Sequence, residues 1–389
     1  MSEDLRRGQR DSRAMGGTPP PDTARTAVAV AADRLRRRFA SRRFVVLLAV
    51  YAAVLLTMTV LSSAVAWAMS ALSNGLGTGP LVFSAVIFTV LLLTVAAGPA
   101  VQGRAITAPA FDGSASRRTS FRPPAEPQGT RAVVFGALLA EWVTSLAFLA
   151  IALPVVLVTA IAGAVPPLEV VVSIAVLLAE VLLLGAIAVG ISGLIDRPGW
   201  AVAAAYATVG ALTVGSLVAF GVVGNLAHHE VVTESRGVSW SSTDLVADCD
   251  DAFAQGASDC EEDADGEGVT VCDAWQSTSS VRPRLDLAWW LLVPNPFVLV
   301  ADATPPSWEG PARSPVDLFG MVTAGVRQAQ LAGEPTEIFD SCTIDGQDRA
   351  STVPALLERT ASSWHLGLLV QGGLATVLLA GAAARRVRR

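Results

Sequence analysis

The sequence contains no lysine, and all 28 of its basic residues are arginine. A phosphate-binding loop of the Walker type sets a lysine on the nucleotide phosphates. This chain has no such residue, so any ATP-driven work must draw on a partner's ATPase. Histidine is scarce too, at three residues. His228, His229 and Glu230 offer no i, i+4 ligand pair on a helix, and no two cysteines are spaced as a zinc knuckle. No metal, cofactor or nucleic-acid partner is therefore assigned. Charge is thin: 16% of the 389 residues are charged against 52% hydrophobic, and the mean hydropathy is +0.51. That balance excludes an ordinary soluble protein and identifies a polytopic membrane protein. The four cysteines, Cys249, Cys260, Cys272 and Cys342, avoid every long apolar run.

The long apolar runs organise the chain. Pro80 to Ala100 has no charge over 21 residues, and Ala132 to Val165 has only Glu141. Each is long enough to cross a hydrocarbon core of about 30 Å as a helix. The loop between them, residues 101–131, carries Arg104, Arg117, Arg118, Arg122 and Arg131 against Asp112 and Glu126. Short arginine-rich loops stay on the cytoplasmic side. The loop is either a passive connection or a docking surface.

Residues 1–21 are polar, with Gly16-Gly17 and Pro19-Pro20-Pro21, and are expected to be a disordered cytoplasmic arm. Residues 22–43 set Ala27, Val28, Val30, Ala31, Leu35 and Phe39 at helical spacing among arginines. This predicts a basic amphipathic helix lying on membrane lipid; the alternative is a charged stop before the first span. Span one follows from Phe44 to Leu72. Spans two and three flank the arginine loop, with a kink expected at Pro154. Span four runs from Val170 to Ile195 and span five from Trp200 to Val223, so that residues 44–224 hold five spans. Residues 225–363 form a long polar segment, and span six covers residues 364–384. The tail 385–389 is basic.

Six spans with both termini cytoplasmic, in a plasma membrane, satisfy every arginine cluster. Residues 225–363 then lie outside, with 23 acidic residues against 7 arginines. All four cysteines fall there, which suits disulfides in an oxidising compartment and leaves three pairings open. Within this segment, residues 285–303 are apolar but broken by Pro294-Asn295-Pro296. They are read as two short re-entrant or interfacial pieces, with Trp289 and Trp290 at the membrane boundary. A seventh span is the competing count, and it would put the arginine tail outside. The predicted fold class is thus an all-α polytopic membrane protein, with a disulfide-bearing extracytoplasmic segment between helices five and six.

Three motifs suggest chemistry. Gly190-Ile191-Ser192-Gly193 matches the nucleophile motif of rhomboid-type intramembrane proteases, and His365 lies in span six. The topology sets the serine and histidine at opposite ends of the bilayer, far beyond proton-transfer reach. The glycines are read instead as small residues for close helix packing. Glu261, Asp263, Asp265 and Gly266 imitate the start of an EF-hand, but Cys272 replaces the bidentate glutamate. Glu141 and Glu180 lie within spans three and four. Each is either functional or a protonated or hydrogen-bonded helix contact.

Three groups of residues carry a family resemblance. They are Ala96-Ala97-Gly98-Pro99-Ala100 closing span two, Gly136-Ala137-Leu138-Leu139-Ala140-Glu141-Trp142 opening span three, and Trp289-Trp290 with Pro294-Asn295-Pro296-Phe297 and Ala301-Asp302-Ala303. With them the chain, from about Arg34, resembles the membrane subunit of type-2 ABC transporters, in particular the actinobacterial branch. The resemblance implies a permease, an exporter, coupled to a separate ABC ATPase subunit that binds the ATP. A second permease subunit, identical or homologous, would complete the path. It also implies a coupling helix in the loop after span two, where Asp112, Arg117, Arg118 and Arg122 stand. The family's Glu-x-Gly-Thr-Leu pattern is absent there, since Gly129-Thr130 is followed by Arg131. Either the docking surface is rebuilt around arginines or coupling has drifted. A membrane-anchored receptor or assembly protein acting through residues 225–363 is the alternative. An intramembrane enzyme is the third reading, and no convergent catalytic set supports it.

Overall fold

The computed structural model describes residues 23–72, 78–102, 129–237, 259–262, 269–272, 274–309, 314–340 and 353–387. Six of its helices are long and apolar enough to cross a membrane: Arg42–Leu72, Gly79–Gln102, Gly129–Ala162, Pro167–Leu194, the run Pro198–Gly210 to Ser216–Gly224, and Trp364–Val387. They are called spans one to six below. Apolar side chains nearly all round each helix supply both the packed faces and the lipid-compatible ones. Phe83, Ile87, Leu91, Ile187 and Leu299 are fully buried, so the core lies where spans two and four meet the segment before span six.

Small residues set how closely the helices approach. A Cβ on Gly79 would fall on the backbone of Gly163, so the start of span two and the end of span three cross backbone to backbone. Gly190 and Gly193 of span four accept Leu378 and Ala382 of span six, where an added Cβ would come within 2.6 and 2.5 Å. The packing role read for these two glycines is therefore what the structure shows. Ser192 spends its hydroxyl on Ala188 O. Ala382, beside Gly193, is 17 residues from His365 on one helix, a rise of about 25 Å, which rules out the protease pairing.

The N-terminal segment folds as a helix from Thr23 to Phe39 that packs along the first half of span three. A Cβ on Gly136 would strike Ala27 O and Val30, so this glycine admits the helix to close range. Span five is interrupted by a π-turn, Ala211–Gly215, between its two α-helical halves. Span three keeps Pro154 within a continuous helix.

Residues 225–363 are not helical throughout, which amends the all-α expectation. His228–Arg236 pairs antiparallel with Gln276–Pro283 and parallel with Thr336–Asp340, giving a three-stranded sheet. Arg236 bonds Asp340 at 2.7 Å across the parallel pairing, and Arg282 of one outer strand bonds Glu337 of the other at 2.8 Å. A ribbon pairs Asp259–Glu262 with Val269–Cys272, and a second joins Trp308–Glu309 to Ser314–Pro315.

The stretch from Leu285 to Ala303 folds as two 3₁₀ turns and then a helix, Pro296–Ala303. That helix packs against spans four and six and the π-turn of span five. Val298 to Ala301 are almost wholly buried. At eight residues this helix is too short to cross as a seventh span, and the broken stretch is called the re-entrant segment below. A second helix, Leu318–Gln328, covers it, with Phe319 edge-on to Phe83 and Phe88.

Candidate functional site

Pro294, Asn295 and Pro296 make the inner turn of the re-entrant segment, and the sequence explains its shape. Pro296 takes the first helical position, where its missing N–H costs nothing. Asn295 caps the helix by accepting from Phe297 N and Val298 N. Its amide nitrogen donates to Thr213 O at 2.9 Å and to Ser216 Oγ at 2.8 Å. The π-turn of span five thus meets the cap of the re-entrant helix, and π-turns gather at functional positions. Gln371 of span six donates to Pro294 O at 3.2 Å, which fixes the turn from the other side. Glu180 of span four is the polar neighbour of Gln371, and both are fully buried.

The far end of the re-entrant helix is anchored by charge. Asp302 Oδ1 accepts from Arg327 Nε at 2.9 Å, and Oδ2 accepts from Ser363 N, Ser363 Oγ and Trp364 N. The carboxylate therefore sits at the N-terminus of span six, where the helix dipole favours an anion. Arg327 also donates to Thr360 O. One buried carboxylate joins the re-entrant helix, the covering helix and span six.

A second carboxylate cluster lies beside it. Ser307 donates its hydroxyl to Glu169 Oε2 at 2.8 Å, and its backbone N–H to Asp317 Oδ2. Asp317 caps the helix Leu318–Gln328 by accepting from Gly320 N, and Leu318 N donates to Ser84 Oγ. Burial pushes the Asp317 carboxyl above its ordinary value.

At the opposite end of the bundle, Arg38 of the N-terminal helix reaches into span three. It donates to Glu141 Oε2 at 3.0 Å and to Thr144 Oγ1 at 2.8 Å. Their side chains are only 11% and 3% exposed, so this is a buried ion pair. Beside Glu141, a pocket with room for about one water opens among Thr94, Gly98, Ser145, Gly185 and Val209. Spans two to five each contribute to its wall.

The residues expected from sequence fare differently. Glu141 and Glu180 are both buried, but Glu141 pairs with a cation and Glu180 pairs with none among the described residues. Asp112, Arg117, Arg118 and Arg122 lie outside the described residues, as do Cys249 and Cys342. Cys260 and Cys272 are placed by the ribbon's register, opposite Val271 and Asp259. Among the described residues no group of three or more His, Cys, Asp or Glu converges as a metal site. Sequence reasoning did not single out Arg38, Asp302, Asp317 or Gln371 as site residues. Asp302 followed by Arg327 in an apolar surrounding was the available signal. Compared with known protein families, curated proteins and solved structures, the chain matches none.

Proposed function

We propose that the chain is the permease subunit of an ABC transporter of the type-2 class, an exporter driven by a separate ATPase subunit. The supporting observation is the buried Arg38–Glu141 pair, which ties the N-terminal helix to span three. The loop 101–131 enters span three ten residues before Glu141. Force applied at the loop by an ATPase would pass through a rigid two-helix unit into the spans. The re-entrant segment, held between spans four, five and six at the other end, suits an element that closes a path from outside. In this reading both termini and the loop are cytoplasmic, the membrane is the plasma membrane, and a second permease subunit completes the path.

The test is substitution of Arg117, Arg118 and Arg122 by glutamine, with ATPase co-purification and stimulated ATPase activity as readouts. Weakened association with intact membrane insertion supports the coupling loop. Unchanged complex and unchanged stimulation overturn the arginine contact. Failure of the wild-type chain to bind any ABC ATPase overturns the permease reading itself and leaves a receptor or assembly role through residues 225–363.

A further inference from the structure

Glu180 is the fourteenth of the 28 residues of its helix, halfway across span four, and is fully buried. Neither of its carboxyl oxygens has a hydrogen-bond partner, and neither has the amide oxygen of its neighbour Gln371. Gln371 Nε2, the donor of this group, is bonded to Pro294 O at 3.2 Å and leaves the three acceptors unserved. Charged groups on the packed elements are engaged elsewhere. Glu141 of span three binds Arg38, Asp302 of the re-entrant helix binds Arg327, and Glu169 on span four itself takes the Ser307 hydroxyl. The described parts of spans two and five carry no charged residue, and His365 stands at the far end of span six. An ionised carboxylate so placed would be buried without a counter-charge, a state that proteins avoid by neutralising the group. A proton on Glu180 supplies the missing donor.

We propose that Glu180 is an exchangeable proton-binding site, with the Glu180 hydroxyl donating to Gln371 Oε1 while Gln371 Nε2 holds the Pro294 carbonyl. The amide oxygen accepts while the amide nitrogen donates, so this orientation serves the protonated Glu180 and the Pro294 carbonyl at once. When the proton leaves, the carboxylate needs a donor and takes the amide nitrogen. The charge-assisted bond to the carboxylate competes with the 3.2 Å bond to Pro294 O, and the inner turn's hold on span six weakens. Proton occupancy at Glu180 and closure of the re-entrant segment are therefore linked. The inference is independent of coupling to an ATPase.

The experiment uses the full chain in lipid vesicles, with isotope-labelled glutamate and infrared detection of protonated carboxyl groups. The expected result is a protonated-carboxyl band that Glu180→Gln removes, that shifts in deuterium oxide and that fades in alkaline buffer. In parallel, hydrogen exchange of residues 285–303, corrected for its intrinsic pH dependence, should quicken at alkaline pH in the native chain. It should stay slow in Glu180→Gln, whose carboxamide donates to Gln371 at every pH and preserves the fold. Absence of a band assignable to Glu180 overturns the site. A band indifferent to both deuterium oxide and alkaline pH shows a static acid and overturns exchange. Equal exchange profiles in the two proteins overturn the link to the re-entrant turn.

Discussion

Arg38 Nη1 and Glu141 Oε2 meet at 3.0 Å across 103 residues of sequence, and they convert a surface-seeking basic helix into part of the bundle. The other arginines of that helix's last turn, Arg36 and Arg37, are left to the exterior. Of these three arginines Arg38 is the one turned inward, and the energetics of the pair are those of a buried contact.

Removing one partner of such a pair strands the other charge, at a cost of about 3–5 kcal/mol. Arg38→Gln should therefore lower the thermal midpoint of the purified protein, and Glu141→Gln should do so less severely where Arg38 can reach solvent. Combining the two neutral substitutions should recover part of the loss. A midpoint for Arg38→Gln equal to that of the native chain would show that the pair contributes nothing.

The Gly79–Gly163 crossing leaves no volume for a methyl group. Gly79→Ala and Gly163→Ala should each destabilise by about 1–3 kcal/mol, the usual cost of overpacking. Gly199→Ala, where the added methyl meets open space, serves as the neutral comparison. Chemical denaturation in detergent measures all three, and equal midpoints would refute the close approach.

Asp302→Asn should release both Arg327 and the first turn of span six, since the carboxylate serves Arg327, Ser363 and Trp364 together. We expect a loss of about 3–5 kcal/mol and faster hydrogen exchange in residues 296–303 and 318–328. Change confined to one of these helices would mean that Asp302 does not join them.

Asp317 gives a pH dependence with a definite sign. Its folded-state value lies above the ordinary 3.8, so the folded chain binds its proton more tightly than the unfolded chain. That contribution is fully present below 3.8, is lost as pH rises through the folded value, and stays lost above it. Asp317→Asn should flatten this part of the stability profile. An unchanged slope would assign it to another group.

The spans were legible because uncharged apolar runs have one solution in lipid, and the re-entrant break was legible because Pro294 and Pro296 flank Asn295. The N-terminal helix was legible from its spacing, yet its placement was not. The spacing put arginines toward headgroups, and nothing local marked Arg38 as the partner of Glu141. The sheet escaped for a similar reason: its parallel edge pairs Val232 with Thr336, and its strands are half-polar with no buried face long enough to alternate clearly. Gln371 was invisible because a lone amide in an apolar span acquires meaning only from Glu180 and Pro294, which lie 191 and 77 residues before it in the chain.

The anchoring of the re-entrant helix has a consequence for biogenesis. Asn295 finds Thr213 and Ser216 already synthesised, so the inner turn can dock as soon as it leaves the insertion machinery. Asp302 finds nothing behind it: its partners Arg327, Ser363 and Trp364 are all translated later, as is Gln371, which holds the Pro294 carbonyl. A nascent chain that has completed span five therefore holds a half-docked helix with a bare carboxylate until its last span arrives. Quality control that recognises exposed charge at the membrane has a natural target in that interval, and the final insertion event closes it.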